Sequence, residues 1–212
     1  MNTPVRSPRL PAEQRRQSLI DAFIDEALAA NSIAGAGIRG VVERAGCTAP
    51  VVYRLFGDRT GLVRAVVRST HAPMIERLEA VSKLPGASTA DRLRALVERT
   101  LSRPQGRSEA FESLVAAECR RDPRVARLVR DVFGRFEARL VEMLREGVEG
   151  GELRSDLDLA YVAWRIIDLG LLRSQLFLMR LARPERLDYL SRAMESLIAE
   201  IRAPDPAHGR PR

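Results

Sequence analysis

The sequence predicts an all-α protein of about nine helices, and three observations carry that prediction. Apolar residues recur at three- and four-residue spacing, as along Leu19, Ile20, Phe23, Ile24, Ala27 and Leu28. Glycine and proline cluster between such stripes, at Gly35 to Gly37, Gly46, Gly57, Pro104 to Gly106, Gly150-Gly151 and Pro184. No clear strand pattern, internal repeat or low-complexity tract is present, and aromatics reach only 5%, too few for an aromatic-laden β-sandwich.

The chain has 212 residues, enough for one or two domains with a buried core. Hydrophobic residues make up 45% and charged residues 30%, an ordinary composition for a soluble protein. The 35 basic residues outnumber the 28 acidic ones, giving +7. Residues 1–70 hold 10 arginines against 6 acids, so the first third carries more than half of that surplus. A basic N-terminal third suits an anionic partner such as DNA. Cys47 and Cys119 lie far apart, with neither metal-type spacing nor a disulfide framework, which suits the reducing cytoplasm. The N-terminal stretch MNTPVRSPRLPAEQRRQS lacks the apolar core of a signal peptide. The longest apolar region, Leu157 to Leu181, is broken by Asp158, Arg165, Asp168, Arg173 and Arg180 and reads as no membrane span. An enzyme is not expected. The histidines are His71 and His208, and there is no CxxC, HExxH, phosphate-binding glycine loop or serine nucleophile elbow. No metal and no cofactor is expected either.

Each element has a sequence reason. Residues 1–10, with Pro4, Arg6, Pro8 and Arg9, read as a flexible basic arm. From Pro11 a first helix carries the Leu19 stripe, with Gly35 and Gly37 expected to stop it. Ile38, Val41, Val42 and Ala45 mark a short second helix, and Val52 and Phe56 the inner face of a short third. Asp58 is placed to cap a fourth, whose stripe is Leu62, Val63, Val66 and Val67 and which Pro73 interrupts. Ser88 and Asp91 have capping-box spacing at the start of a fifth helix bearing Leu93, Leu96, Val97 and Leu101. Phe111, Leu114, Val115 and Cys119 mark a sixth. Asp122-Pro123 reads as the N-cap and first position of a long seventh. Asp158 is placed to cap an eighth, apolar nearly all round. Pro184 opens a ninth, with Leu187, Leu190, Met194, Leu197, Ile198 and Ile201. The proline-rich tail 203–212 reads as disordered.

The two short helices joined at Gly46-Cys47-Thr48 form a helix-turn-helix. The first props the second, which is short enough to lie in a major groove. Gly46 permits the positive φ of the turn, and Thr48 is placed to cap the second helix, whose first amides suit a phosphate.

The whole segment IRGVVERAGCTAPVVYRLFGDRTGLVRAVV is more specific. Its paired Val41 and Val42, Ala45-Gly46, Thr48, Tyr53, Phe56, Arg59 and Leu62 resemble the DNA-binding region of the TetR family of transcriptional regulators. The match covers residues 18–67. Beyond it the likeness is of size, helix order and the phrase EGVEGGELRSDLD. The resemblance implies a three-helix DNA-binding domain over 11–67 and an effector-binding and dimerisation bundle over 68–202. It implies a homodimeric repressor that binds a palindromic operator in double-stranded DNA and is released by a small-molecule effector. By position, Arg39, Ala49, Pro50, Val51 and Leu55 match base contacts, while Thr48, Tyr53 and Arg59 match phosphate contacts. The chain departs from the family at Gly37 (usually Thr), Gly40, Pro50 (commonly Gly) and Arg59 (usually Lys).

Chemistry refines these roles. Arg39 has the reach to bind guanine O6 and N7, whereas Ala49, Pro50 and Val51 meet only thymine methyls or enforce shape. Specificity is therefore expected to lean on Arg39, thymine methyls and DNA deformability, with Arg6 or Arg9 reaching the minor groove. Tyr53 reads as a phosphate contact or as a core tyrosine with its hydroxyl at the surface. Arg44 and Arg54 read as solvated outer-face charges, and Cys47 and Cys119 as packing. In the second half, Phe111, Val115, Phe133, Phe136, Met143, Tyr161, Trp164 and Asp168 are the candidates for an effector pocket, with plain core as the other reading. Arg165 and Asp168, three apart, read as a buried ion pair or as partners of a polar ligand group. The eighth and ninth helices resemble those that pair in the family's four-helix dimer interface. A regulator without an effector, constitutive or controlled by a protein partner, is the alternative function. A closed, fully packed second domain favours it; a cavity of about 300–1,000 Å³ favours the effector.

Overall fold

The computed structural model describes residues 11–102 and 106–204. The expected basic arm, the break at Pro104 and the tail beyond Pro204 lie outside them. The described residues form nine α-helices and an isolated β-bridge between Leu153 and Arg202, so the all-α expectation holds. The helices are α1 (Ala12–Ala29), α2 (Ile38–Arg44), α3 (Ala49–Phe56), α4 (Arg59–Ser82), α5 (Thr89–Leu101), α6 (Arg107–Cys119), α7 (Pro123–Glu149), α8 (Leu159–Leu178) and α9 (Pro184–Ile201). No helix among the described residues is long and apolar enough to cross a membrane.

The chain packs as two compact units. One holds the residues up to His71 together with Ala110–Arg130; the other holds Ala72–Glu109 and Asp131 onward. The return of 110–130 to the first unit is invisible in the apolar periodicity, which gives the face of a helix and not its neighbours.

In the first unit, Leu19, Phe23, Ala27, Ile33, Val41, Val52, Leu62 and Val66 form the core, and Phe111, Leu114, Val115 and Val125 complete it. Burial of side chains of this size is worth about 1.5–3 kcal/mol each. The first helix stops ahead of Gly35. Asn31 takes the left-handed φ of 47°, its N–H donates to the Leu28 carbonyl (3.1 Å), and that of Ser32 donates to Ala27 (2.9 Å). This is a Schellman-type end with asparagine in the usual place of glycine. Asp58 caps α4 as its spacing predicts, accepting from the Gly61 N–H at 2.6 Å. Asp122 accepts from the Arg124 N–H at 2.8 Å, ahead of Pro123 at the start of α7.

In the second unit, α9 packs on α5 and α8. Its core contains Leu78, Leu93, Leu140, Met143, Leu144, Ala163, Met194 and Ile201. The capping box at α5 forms in full, with Ser88 Oγ accepting from the Asp91 N–H and Asp91 accepting from the Ser88 N–H. Asp158 accepts from the Tyr161 N–H at the start of α8. The apolar surface of α8, expected to lie between its own domain and a partner, divides into two faces in the single chain. Val162, Ala163, Ile166, Ile167 and Arg173 are buried, whereas Tyr161, Trp164, Leu171, Leu172 and Met179 are exposed. Pro73 lies inside α4, which continues past it.

Candidate nucleic-acid interface

The helix-turn-helix is built from the core outward. Val41 of α2 and Val52 of α3 are fully buried and anchor the two short helices. Between them Gly46 has φ 59°, a conformation that costs an L side chain strain. The Gly46 N–H donates to the Glu43 carbonyl (3.3 Å) and the Cys47 N–H to Val42 (3.0 Å), closing the turn. Cys47 packs against the core, and burial pushes its thiol pKa up, which suits a packing role. Cys119 behaves the same way.

Arginines hold this frame from outside. Arg15 of α1 donates to the Ala45 carbonyl at 2.8 Å. Arg16 donates to the Leu55 carbonyl at 3.0 Å, with its guanidinium 4.6 Å from the centre of the Phe56 ring. Carbonyls at helix ends lack intrahelical partners, so these cations satisfy groups that water would otherwise have to serve. Arg44 meets Glu26 of α1 at 2.7 Å, a contact that raises the Arg44 pKa further.

The expected DNA-contacting residues fall into three groups. Thr48, Pro50 and Tyr53 are exposed, and Ala49 is half-buried. Thr48 sits at the N-cap with extended backbone, yet its side chain makes no cap hydrogen bond, contrary to the expected cap. Val51 and Leu55 are half-buried and pack on the core, so each has only part of its surface outside. Arg39 is exposed and pairs with Glu43 one turn on at 2.9 Å. Arg59 turns inward: its Nη2 donates to the carbonyls of Ile33 (2.6 Å), Ala34 (3.1 Å) and Ala36 (3.4 Å), with Phe23 below. Its charge closes the turn after α1.

Arg54, which the sequence reads as a solvated outer-face charge, is not among the expected DNA contacts. It is exposed on α3, one residue from Tyr53 and one turn from Pro50, and among the described residues it makes no ion pair. The signal was there: positions 50, 53, 54 and 57 form the helical stripe opposite the buried Val52.

The effector candidates separate as well. Phe111 and Val115 lie in the core of the first unit. Phe133, Phe136 and Met143 lie together in or against that of the second. Tyr161, Trp164 and Asp168 are on the exposed face of α8, where the Trp164 indole N–H donates to Glu137 at 3.0 Å. Arg165 and Asp168 do not form the expected buried pair. Arg165 reaches Glu200 of α9 at 2.7 Å, near the surface, because α9 lies beside it and offers a closer carboxylate. An open groove of about 500 Å³ lies elsewhere in the second unit, lined by Arg94, Val97, Glu98, Leu101, Met194 and Glu195 among others. Among the described residues no group of three or more His, Cys, Asp or Glu is placed to hold a metal ion.

Comparison with known proteins agrees with this geometry. Residues 89–169 match the family model of the BetI-type transcriptional repressor, C-terminal. No curated protein matches the chain. A TetR-family transcriptional regulator from Rhodococcus sp. superposes with TM-score 0.73 at 19% identity, over 87% of this chain and 99% of that one. A transcriptional regulator from Saccharomonospora viridis, solved in complex with choline, gives 0.69 at 19%, over 91% and 100%. The TetR-family regulator CifR, a cysteine mutant whose structure includes a 26-bp double-strand operator, gives 0.66 at 21%, over 90% and 99%.

Proposed function

We propose that the chain is a transcriptional regulator of the TetR family, which represses transcription by binding a palindromic operator as a homodimer and lets go when a small molecule binds its second unit. The observation that carries this reading is the two-sided third helix. Val52 seals it to the core, while Thr48, Pro50, Tyr53 and Arg54 face outward on a segment short enough for one major groove. Thr48 and Tyr53 offer hydroxyls to phosphates, and the apolar tip of Ala49, Pro50 and the outer edge of Val51 meets thymine methyls. Arg39 and Arg54 supply the long polar reach toward bases. The partners of Arg59 are carbonyls of its own chain, so it acts on DNA only by positioning α1 and α4. The operator complex of CifR supports the DNA partner, and a DNA partner suits a cytoplasmic location.

Dimerisation rests on the exposed apolar face of α8. Tyr161, Trp164, Leu171, Leu172 and Met179 recur along one side of a single helix, a pattern that asks for a partner surface. A two-fold axis there presents two reading helices to successive turns of DNA, about 34–36 Å apart. The effector reading draws on the choline complex of the Saccharomonospora relative and on the repressor model over 89–169. Phe133, Phe136 and Met143 would form the apolar wall of its site. The packed state of that cluster is the observation that favours control without an effector.

Selection of duplexes from a random pool by the full chain, followed by fluorescence anisotropy, tests the proposal. The expected product is an inverted repeat whose half-site centres lie about one helical turn apart or a multiple of it. Retention of no duplex at modest ionic strength overturns it.

A further inference from the structure

The second unit buries a pair of opposite charges. Arg173 of α8 and Glu109 of α6 have side chains 1% and 2% exposed, with Nη1 3.1 Å from Oε1. The Arg173 guanidinium lies over the Phe177 ring, 4.8 Å from its centre. The second carboxylate oxygen of Glu109 accepts from the Gly106 N–H at 3.0 Å and so fastens the first turn of α6.

Apolar side chains of equal volume would fill this space without the desolvation cost of two ions, so stability alone does not account for the pair. Its chemistry is that of a receptor. A planar guanidinium, always charged, backed by an aromatic ring and shielded from water, is the side chain best suited to hold a carboxylate. Here the chain's own carboxylate occupies that place. Two residues beyond Glu109, Phe111 belongs to the core of the first unit, so one helix carries both the carboxylate and a core residue of the DNA-binding unit.

We propose that Arg173 is the recognition point for an effector that carries a carboxylate on an apolar body, and that Glu109 holds the site closed until the ligand's carboxylate displaces it. The apolar body follows from the Phe177 ring and from the buried Ile166 and half-buried Gly170 on the same face of α8. Displacement frees the first turn of α6 from α8. This inference rests on the effector reading above.

The test uses the full chain with sodium benzoate and sodium decanoate, and with choline chloride at equal ionic strength, read by calorimetry and by operator retention. Glu109→Gln removes the internal competitor, and at least one carboxylate is expected to bind it tenfold or more tighter than wild type. Arg173→Met alone strands a buried carboxylate, so the control is the double variant Glu109→Leu with Arg173→Met, checked for helicity. It is expected to lose at least tenfold in carboxylate affinity. Three results overturn the site: no carboxylate bound by either wild type or Glu109→Gln, unchanged binding by the double variant, or binding of choline in place of the carboxylates. Carboxylate binding that depends on Arg173 but leaves operator retention unchanged sinks the effector reading and leaves the site standing.

Discussion

Arginine is the residue on which sequence and structure part most clearly. Arg59 and Arg54 are close in sequence and carry the same charge, yet one is folded into the turn after α1 and the other faces out from α3. The difference decides what each mutation does. Arg59→Ala deprives three carbonyls of a charged donor and is expected to cost about 2 kcal/mol of stability, read as a lower urea midpoint at unchanged slope. Arg54→Ala leaves stability within about 0.5 kcal/mol but relaxes preference at a base pair in each half-site, by about 1–3 kcal/mol in competition binding. Arg39→Ala first breaks a solvated pair with Glu43, whose side chain is 63% exposed, and such pairs are worth about 0–1 kcal/mol. That pair is therefore no obstacle to a base contact. If Arg59→Ala flattens the salt dependence of binding and leaves folding intact, the inward assignment of its charge is wrong. Gly40 also changes meaning. An added Cβ there would lie 2.2 Å from Glu26 Oε1, so its small size makes room for the carboxylate that holds Arg44.

At the scale of elements, helix starts were readable because their partners are local. Asp58, Ser88, Asp122 and Asp158 each meet an amide two or three residues on, a distance that sequence spacing specifies directly. The failure at Thr48 is instructive, since an identical spacing leaves the side chain without its cap bond. The α5 cap has a pH signature. Hydrogen bonds from Ser88, then the Arg94 guanidinium, hold the Asp91 carboxyl below its ordinary pKa. A depressed carboxylate contributes stability above its unfolded pKa, about 3.9, and loses that contribution as pH falls through the folded value. The thermal midpoint of wild type is thus expected to exceed that of Asp91→Asn by a constant margin above about pH 5, shrinking below pH 4. A margin that grows on acidification contradicts the cap. Arg94 depresses Glu195 and Arg154 depresses Asp156 in the same direction, so acid loosens the second unit at several places.

For the whole molecule, the decisive surface is the exposed side of α8. An ordinary monomer does not line one helix with Tyr161, Trp164, Leu171, Leu172 and Met179. Leu172→Glu places a charge in the middle of that stripe at a side chain already 39% exposed, so the fold of the protomer is expected to survive. The variant is expected to sediment as a monomer and to bind its operator at least 100-fold more weakly, as one reading head acts without the other. Unchanged sedimentation would move the dimer contact off this helix.

The sequence by itself determined the helices, the caps at Asp58, Ser88, Asp122 and Asp158, and the glycine turn at Gly46. Each of these is set by residues within a turn or two of one another, and backbone geometry enforces that spacing. Only the tertiary structure decided where the charges go. Arg16 finds Leu55, Arg59 finds Ile33 and Arg173 finds Glu109 across 39, 26 and 64 residues, and no local rule ranks such partners. A long, flexible cation takes whichever unsatisfied oxygen the folded chain brings within reach, and that choice exists only after the helices have packed.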